Sequence, residues 1–203
     1  LPGGGLVAAR AVNISGGQKF LGSLTDAEVH AGTAVVINMT GDEGQFISTT
    51  STIDSGSGAI RVTGSGQKSL AEFKLGSVAT GRTGINVTLN GGESIINANE
   101  FNFSSPEASV IFRTAGNKSE IVASLGSISS GTATLIQSSL TGTEGKAIMQ
   151  NTTVNAGGAI RIESGSRGNT EVTDSNLTAN TLIRFATGAG GSCKSQNNLL
   201  TAP

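Results

Sequence analysis

The side chains of this 203-residue sequence that could do chemistry are Arg61, Arg161, Arg184, His30 and a scatter of carboxylates. Arg161 and Arg184 stand 23 residues apart, and His30 and Asp54 stand 24 apart. Two stacked arginines could take a carboxylate or a phosphate, because the guanidinium fork matches either anion. A His–Asp pair could move a proton or begin a metal site, but each role needs a third partner, and none stands at a comparable spacing. Asp42, Glu43 and Glu144 fall in equivalent turns too far apart to cooperate, and Asp26, Glu100 and Asp174 lie in phase without being neighbours. A polysaccharide hydrolase or lyase needs clustered carboxylates. The sequence supplies none, so no catalytic residue, metal site or cofactor site is expected. Solvated charges on a sheet face account for the arginines, and a surface ion pair for His30 with Asp54.

Binding signals are equally sparse. Trp and Tyr are absent and Phe numbers 7, which leaves few aromatics for stacking sugar rings. The Gly-rich runs lack the Lys and the helix of a phosphate-binding loop. Thr50-Ser51-Thr52 and Thr132-Ala133-Thr134 do not stack into the rows that an ice-binding solenoid needs. Asn38-Met39-Thr40, Asn86-Val87-Thr88 and Asn176-Leu177-Thr178 are sequons that an Asn- and Thr-rich chain produces by chance. Thirteen basic and 14 acidic residues give a net charge of −1, which offers no electrostatic case for nucleic acid. No apolar run approaches the ~18 residues of a membrane span. The single Cys193 cannot form an internal disulfide, and its position predicts an inward, buried thiol.

The spacings near 25 residues come from the elements that must carry these side chains. Steps of 25 back from Ile160 land on Leu135, Val110, Ile85, Ile60 and Val35. The positions two further on are Ile162, Gln137, Phe112, Val87, Val62 and Ile37, and steps of 23 add Val12 with Ile14 and Ile183 with Phe185. An apolar pair flanking a permissive position is the period-2 signature of a strand. Its recurrence at a near-constant interval is the signature of stacked repeats. A second register runs through Val29, Ile53, Val78, Phe103, Ile128, Val154, Leu177 and Leu200, most of them followed by Gly or Asn at a corner. Two registers in phase, with a Gly-rich turn after the first, predict an all-β, single-domain parallel β-helix. It has about eight coils of 23–26 residues, with about three short strands in each. Right-handed winding is expected of parallel crossovers, and eight coils at ~4.8 Å make a rod of roughly 40 Å. A β-sandwich of short strands has no reason to keep such a period.

The repeat units Gly58-Ala59-Ile60-Arg61-Val62-Thr63-Gly64 and Gly158-Ala159-Ile160-Arg161-Ile162-Glu163-Ser164 resemble the coils of secreted bacterial right-handed β-helices. These include pectin-lyase-like proteins and adhesins of the filamentous-haemagglutinin type. The resemblance covers almost the whole chain but is one of architecture, which does not fix function. It implies secretion, and work either on polysaccharide or as a surface filament.

The ends carry the sharper expectation. Residues 11–200 are read as the eight coils and 1–10 as a Gly-rich segment that could serve as an assembly arm. A solenoid without polar caps leaves unpaired strand edges and an open core. Leu1, Leu6 and Val7 at one end and Leu199 and Leu200 at the other are therefore expected to mediate contact with a second copy. Outward Ile111 and Ile136 are expected to add a small apolar patch. The function expected is that of a non-enzymatic extracellular solenoid, the subunit of a surface filament or biofilm-matrix fibre assembling head to tail. An adhesin segment binding host or matrix glycans, and a polysaccharide-active enzyme, are the alternatives.

Overall fold

The computed structural model describes the backbone of residues 6–203, and the side chains of the same residues except 6, 7 and 140. The described chain forms 21 strands, from Leu6–Gly16 to Leu199–Thr201, and no helix. Every pairing is parallel and joins a strand to its equivalent one coil away, as Val62↔Val87, Ala71↔Ile96 and Val78↔Phe103 illustrate for the three rows. The expected β-solenoid of about eight coils with three strands per coil is thus the architecture observed. Some strands run round a corner without a break, among them Glu28–Met39, Leu70–Thr80 and Ile95–Ser105.

Alternation builds the core. In each row successive side chains point in and out, and the inward ones stack coil upon coil into continuous lanes. The third row stacks Val29, Ile53, Val78, Phe103, Ile128, Val154 and Leu177, all buried, along the register read from the sequence. In the first row Ile37, Val62, Val87, Phe112, Ile136 and Ile162 do the same. Phe46, Phe73, Phe101, Phe103 and Phe112 form a run of ring contacts through the middle coils, with centroids 4.8–5.8 Å apart.

The second row occupies Leu24, Ser48 and Phe73 on successive coils of one inward lane. Ser48 Oγ is the one buried side-chain oxygen among the described residues with no hydrogen-bond partner. A buried unpaired hydroxyl costs more than it contributes. Ser48→Ala should therefore raise unfolding stability by about 1 kcal/mol, read as a higher denaturant midpoint at unchanged slope.

Two of the three corners turn through a residue in the left-handed region. Between the second and third rows it is Asp26, Thr50, Leu75, Glu100, Leu125, Asn151, Asp174 and Asn197, at φ from 47° to 55°. Between the first and second rows it is Lys19, Glu43, Lys68, Glu93, Lys118, Glu144 and Arg167, followed in the last coil by Gly190. The corner from third row to first contains no such residue among those described. Two corners of the section are thus alike in turning through a left-handed residue, and the third differs.

The register slips in two places: between Ala9 and Ala11 in the first strand, and in the coil around Thr134. Val110 pairs with Thr134 and Thr134 with Ile160, so the intervals there are 24 and 26 residues rather than 25. The register shifts between Ser138 and Thr143, and Ser139 takes φ 50° to absorb the extra residue.

Candidate functional site

Among the described residues, the first and last coils pair with one neighbouring coil each. In the last coil Leu182–Thr187, Ser192–Gln196 and Leu199–Thr201 each pair on one side only, with the preceding coil. Their inward lanes continue the core as the last described layer. Ile183 and Phe185 are half-buried, Leu200 is 46% exposed, and outward Leu199 is 62% exposed. Cys193 corrects the expectation of a buried thiol. It pairs with Thr170 in an inward lane, as its position implied, but is exposed, with no described coil stacked beyond it. Asn198 partly closes the same coil, donating to the Val172 carbonyl at 2.7 Å and accepting from the Ser175 amide at 2.9 Å.

In the first coil, among the described residues, Leu6–Gly16 pairs only with Glu28–Met39, and Leu21–Thr25 only with Gln45–Thr49. Leu6 and Val7 lie beside Glu28 and Val29, so the second half of the expected arm is a strand of the solenoid. Leu1 lies outside the described residues. Val12, Ile14 and Phe20 are half-buried at this edge. Among the described residues, the first and last coils thus each pair on one side.

The outward lane of the first row runs Asn13, Val36, Arg61, Asn86, Ile111, Leu135, Arg161 and Arg184. Ile136 does not belong to it. The 24-residue interval turns Ile136 into the core, where it is fully buried, and places Leu135 outward beside Ile111. A register slip of one residue exchanges the two faces of a strand. The apolar patch is thus Ile111 with Leu135. Arg161 and Arg184 are direct neighbours, as their spacing implied. Arg184 Nε approaches Glu163 at 3.4 Å. Glu163 also accepts from Gln137 at 3.0 Å, and Gln137 accepts from Arg113 at 2.8 Å, so Arg184 ends a polar chain across four coils. Arg161 and Arg61 have no ion pair among the described residues. Arg61 borders a shallow trough of about 320 Å³ lined by Gly84, Asn86, Ser109 and Ile111.

His30 and Asp54 meet at 3.7 Å, and Glu28 lies 3.7 Å from the other imidazole nitrogen. All three side chains are substantially exposed, which suits a surface ion pair. No described group of three His, Cys, Asp or Glu side chains could hold a metal ion.

Sequence reasoning missed a feature of the first corner. Its left-handed residues alternate in charge coil by coil: Lys19, Glu43, Lys68, Glu93, Lys118, Glu144, Arg167. Neighbours pair across coils at 4.0 Å for Lys19–Glu43, 3.9 Å for Lys68–Glu93 and 3.6 Å for Arg167–Glu144. Each exposed pair contributes only a few tenths of a kcal/mol. Their common effect is to disfavour a coil stacked out of order, since that places like charges together. The signal was present as a sign alternation at the coil period.

Comparison with protein-family models, curated proteins and solved structures finds no match to this chain. No described helix is long and apolar enough to cross a membrane.

Proposed function

We propose that the protein is a structural, non-enzymatic β-solenoid of the cell surface or extracellular matrix. It works by stacking end to end with copies of itself into a stiff fibre. The observation that carries this reading is the stack itself: every described strand pairs in parallel with its equivalent one coil away, a geometry that a second copy could extend. Extracellular placement rests on the resemblance of the repeat to secreted β-helices. A head-to-tail contact is heterologous and propagates when it does not close.

Cys193 supplies a direct test, because stacking covers its lane. Thiol labelling should be complete and fast in dilute protein and should fall at least tenfold in rate in the sedimentable fraction at high concentration. Equal labelling rates in the two fractions would contradict end-to-end stacking.

A second reading, glycan binding, draws on the trough beside Arg61, where an unpaired guanidinium stands next to amide, hydroxyl and apolar groups. A glycan affinity screen with Arg61→Ala as the control separates it from a purely structural role.

A further inference from the structure

We infer that the outward face of the second row pairs side by side with the same face of a second copy running in the opposite direction. The contact lies along the flank of the solenoid, needs neither end, and is independent of end-to-end stacking.

This face carries an apolar strip outside the core. Its outward side chains form two lanes, one of Leu21, Gln45, Leu70, Ile95, Glu120 and Lys146, the other of Ser23, Ile47, Glu72, Asn97, Val122 and Ile148. Each of these successive coils thus turns one aliphatic side chain outward, and Leu21 and Ile95 are 63% and 41% exposed. At the corner that ends the row, Leu75 and Leu125 are exposed and held at φ 54° and 55°. The left-handed region is disfavoured for a bulky side chain, and the other coils place Asp, Thr, Glu or Asn there. Exposure and backbone strain at the same two leucines point to a contact. The charges on the face are already paired, Glu72 with Lys74 at 3.0 Å and Glu120 with Lys146 at 4.0 Å, so it does not call for a charged partner.

The pattern fits itself. Two solenoids share the ~4.8 Å strand spacing, so their faces keep step over several coils at a sheet separation of ~10 Å. A twofold axis parallel to the strands, midway between those of Leu70 and Ile95, sets Leu70 on the partner's Ile95 and Ile47 on the partner's Val122. Each contact occurs twice, as in any isologous pair. Beside them Glu72 faces the partner's Asn97 and Gln45 faces the partner's Glu120, each an amide against a carboxylate. Leu75 and Leu125 of the two copies fall on successive levels and form one row along the rim.

The first corner supplies the selectivity. Its alternating charges meet opposite signs on a copy running the other way: Lys68 faces the partner's Glu93, Glu43 the partner's Lys118 and Lys19 the partner's Glu144. Lys118 makes no ion pair of its own among the described residues, and here it gains one. Moving the axis onto the strand of Leu70 or of Ile95 would set Lys68 on Lys68 or Glu93 on Glu93. Moving it a full coil either way would put Ile95 on Glu120 or Ile47 on Glu72. Copies running the same way would lay the first corner on the second and lose the charge pairing. Six coils of ~4.8 Å by seven residues of ~3.3 Å give a footprint of about 670 Å² a side, close to the ~800 Å² per partner of a stable interface.

Sedimentation equilibrium tests the pairing in the Leu200→Lys protein, where end-to-end contact is disfavoured. The expected result is a monomer–dimer equilibrium that stops at two copies. Ile95→Asp, at a site where the single molecule leaves the charge hydrated, should weaken it at least a hundredfold with an unchanged far-UV spectrum. Lys118→Glu and Glu43→Lys should each weaken it about tenfold. Mixing those two proteins should restore the parental affinity, because only the mixed pair matches charges at both contacts. A monomer at every concentration would overturn the proposal and leave the face to a partner other than this chain. Growth beyond two copies, or a dimer indifferent to Ile95→Asp, would also overturn it, and charge variants that mixing does not rescue would overturn the register.

Discussion

Phe103→Ala is expected to lower unfolding stability by about 3–5 kcal/mol, the range for removing a fully buried aromatic ring. Phe103 is the hub of the aromatic run, in contact with Phe73 at 5.4 Å, Phe101 at 5.2 Å and Phe112 at 4.8 Å. It also fills the third-row lane between Val78 and Ile128. The effect has a second component, because each coil of a solenoid touches only its neighbours. A weak central coil should uncouple the two halves, so the denaturation curve should broaden or split as well as shift. Phe185→Ala, in the half-buried last coil, should cost clearly less. Equilibrium denaturation of the two variants checks this. Equal costs would mean that the middle of the rod is not its best-packed part.

Leu200→Lys is expected to abolish fibre formation while leaving the single molecule folded. In the free chain Leu200 is 46% exposed, so a lysine there remains hydrated. In end-to-end stacking the same position would be enclosed as the continuation of the lane of Val154 and Leu177, which are fully buried. An unpaired cation enclosed there costs about 3 kcal/mol or more, roughly a hundredfold or more in the concentration needed to assemble. Thr178→Lys, on the outward lane one coil earlier, should assemble normally. Sedimentation across a concentration series reads both variants. Assembly of Leu200→Lys at the parental concentration would show that the last coil is not part of the contact.

The fold was largely legible because the apolar lanes repeat at a nearly fixed interval and each lane needs only period-2 alternation. Legibility failed where that interval changed. Thr134 occupies an inward position with its hydroxyl 2.9 Å from Ser130 Oγ, so the lane is polar there. The apolar pattern alone therefore points to Leu135, one residue late, and would turn Ile136 outward, whereas Thr134 and Ile136 face the core. The second row hid its orientation for a different reason. Its apolar doublets, such as Ile95-Ile96, place one residue out and one in, and the sequence does not say which. Cys193 was assigned the correct lane, but burial depends on the coil above it as well as on the lane. The left-handed corners were obscured because Lys, Glu and Leu occupy positions where Gly or Asn would have announced the conformation.

The most direct test of end-to-end assembly is negative-stain electron microscopy of the purified protein across a concentration series, with sedimentation in parallel. The account predicts unbranched fibres of one width, that of a solenoid or of a side-by-side pair, which lengthen with concentration and are lost in Leu200→Lys. A protein that stays monomeric at the highest concentration reached would contradict it and give first place to the glycan-binding reading.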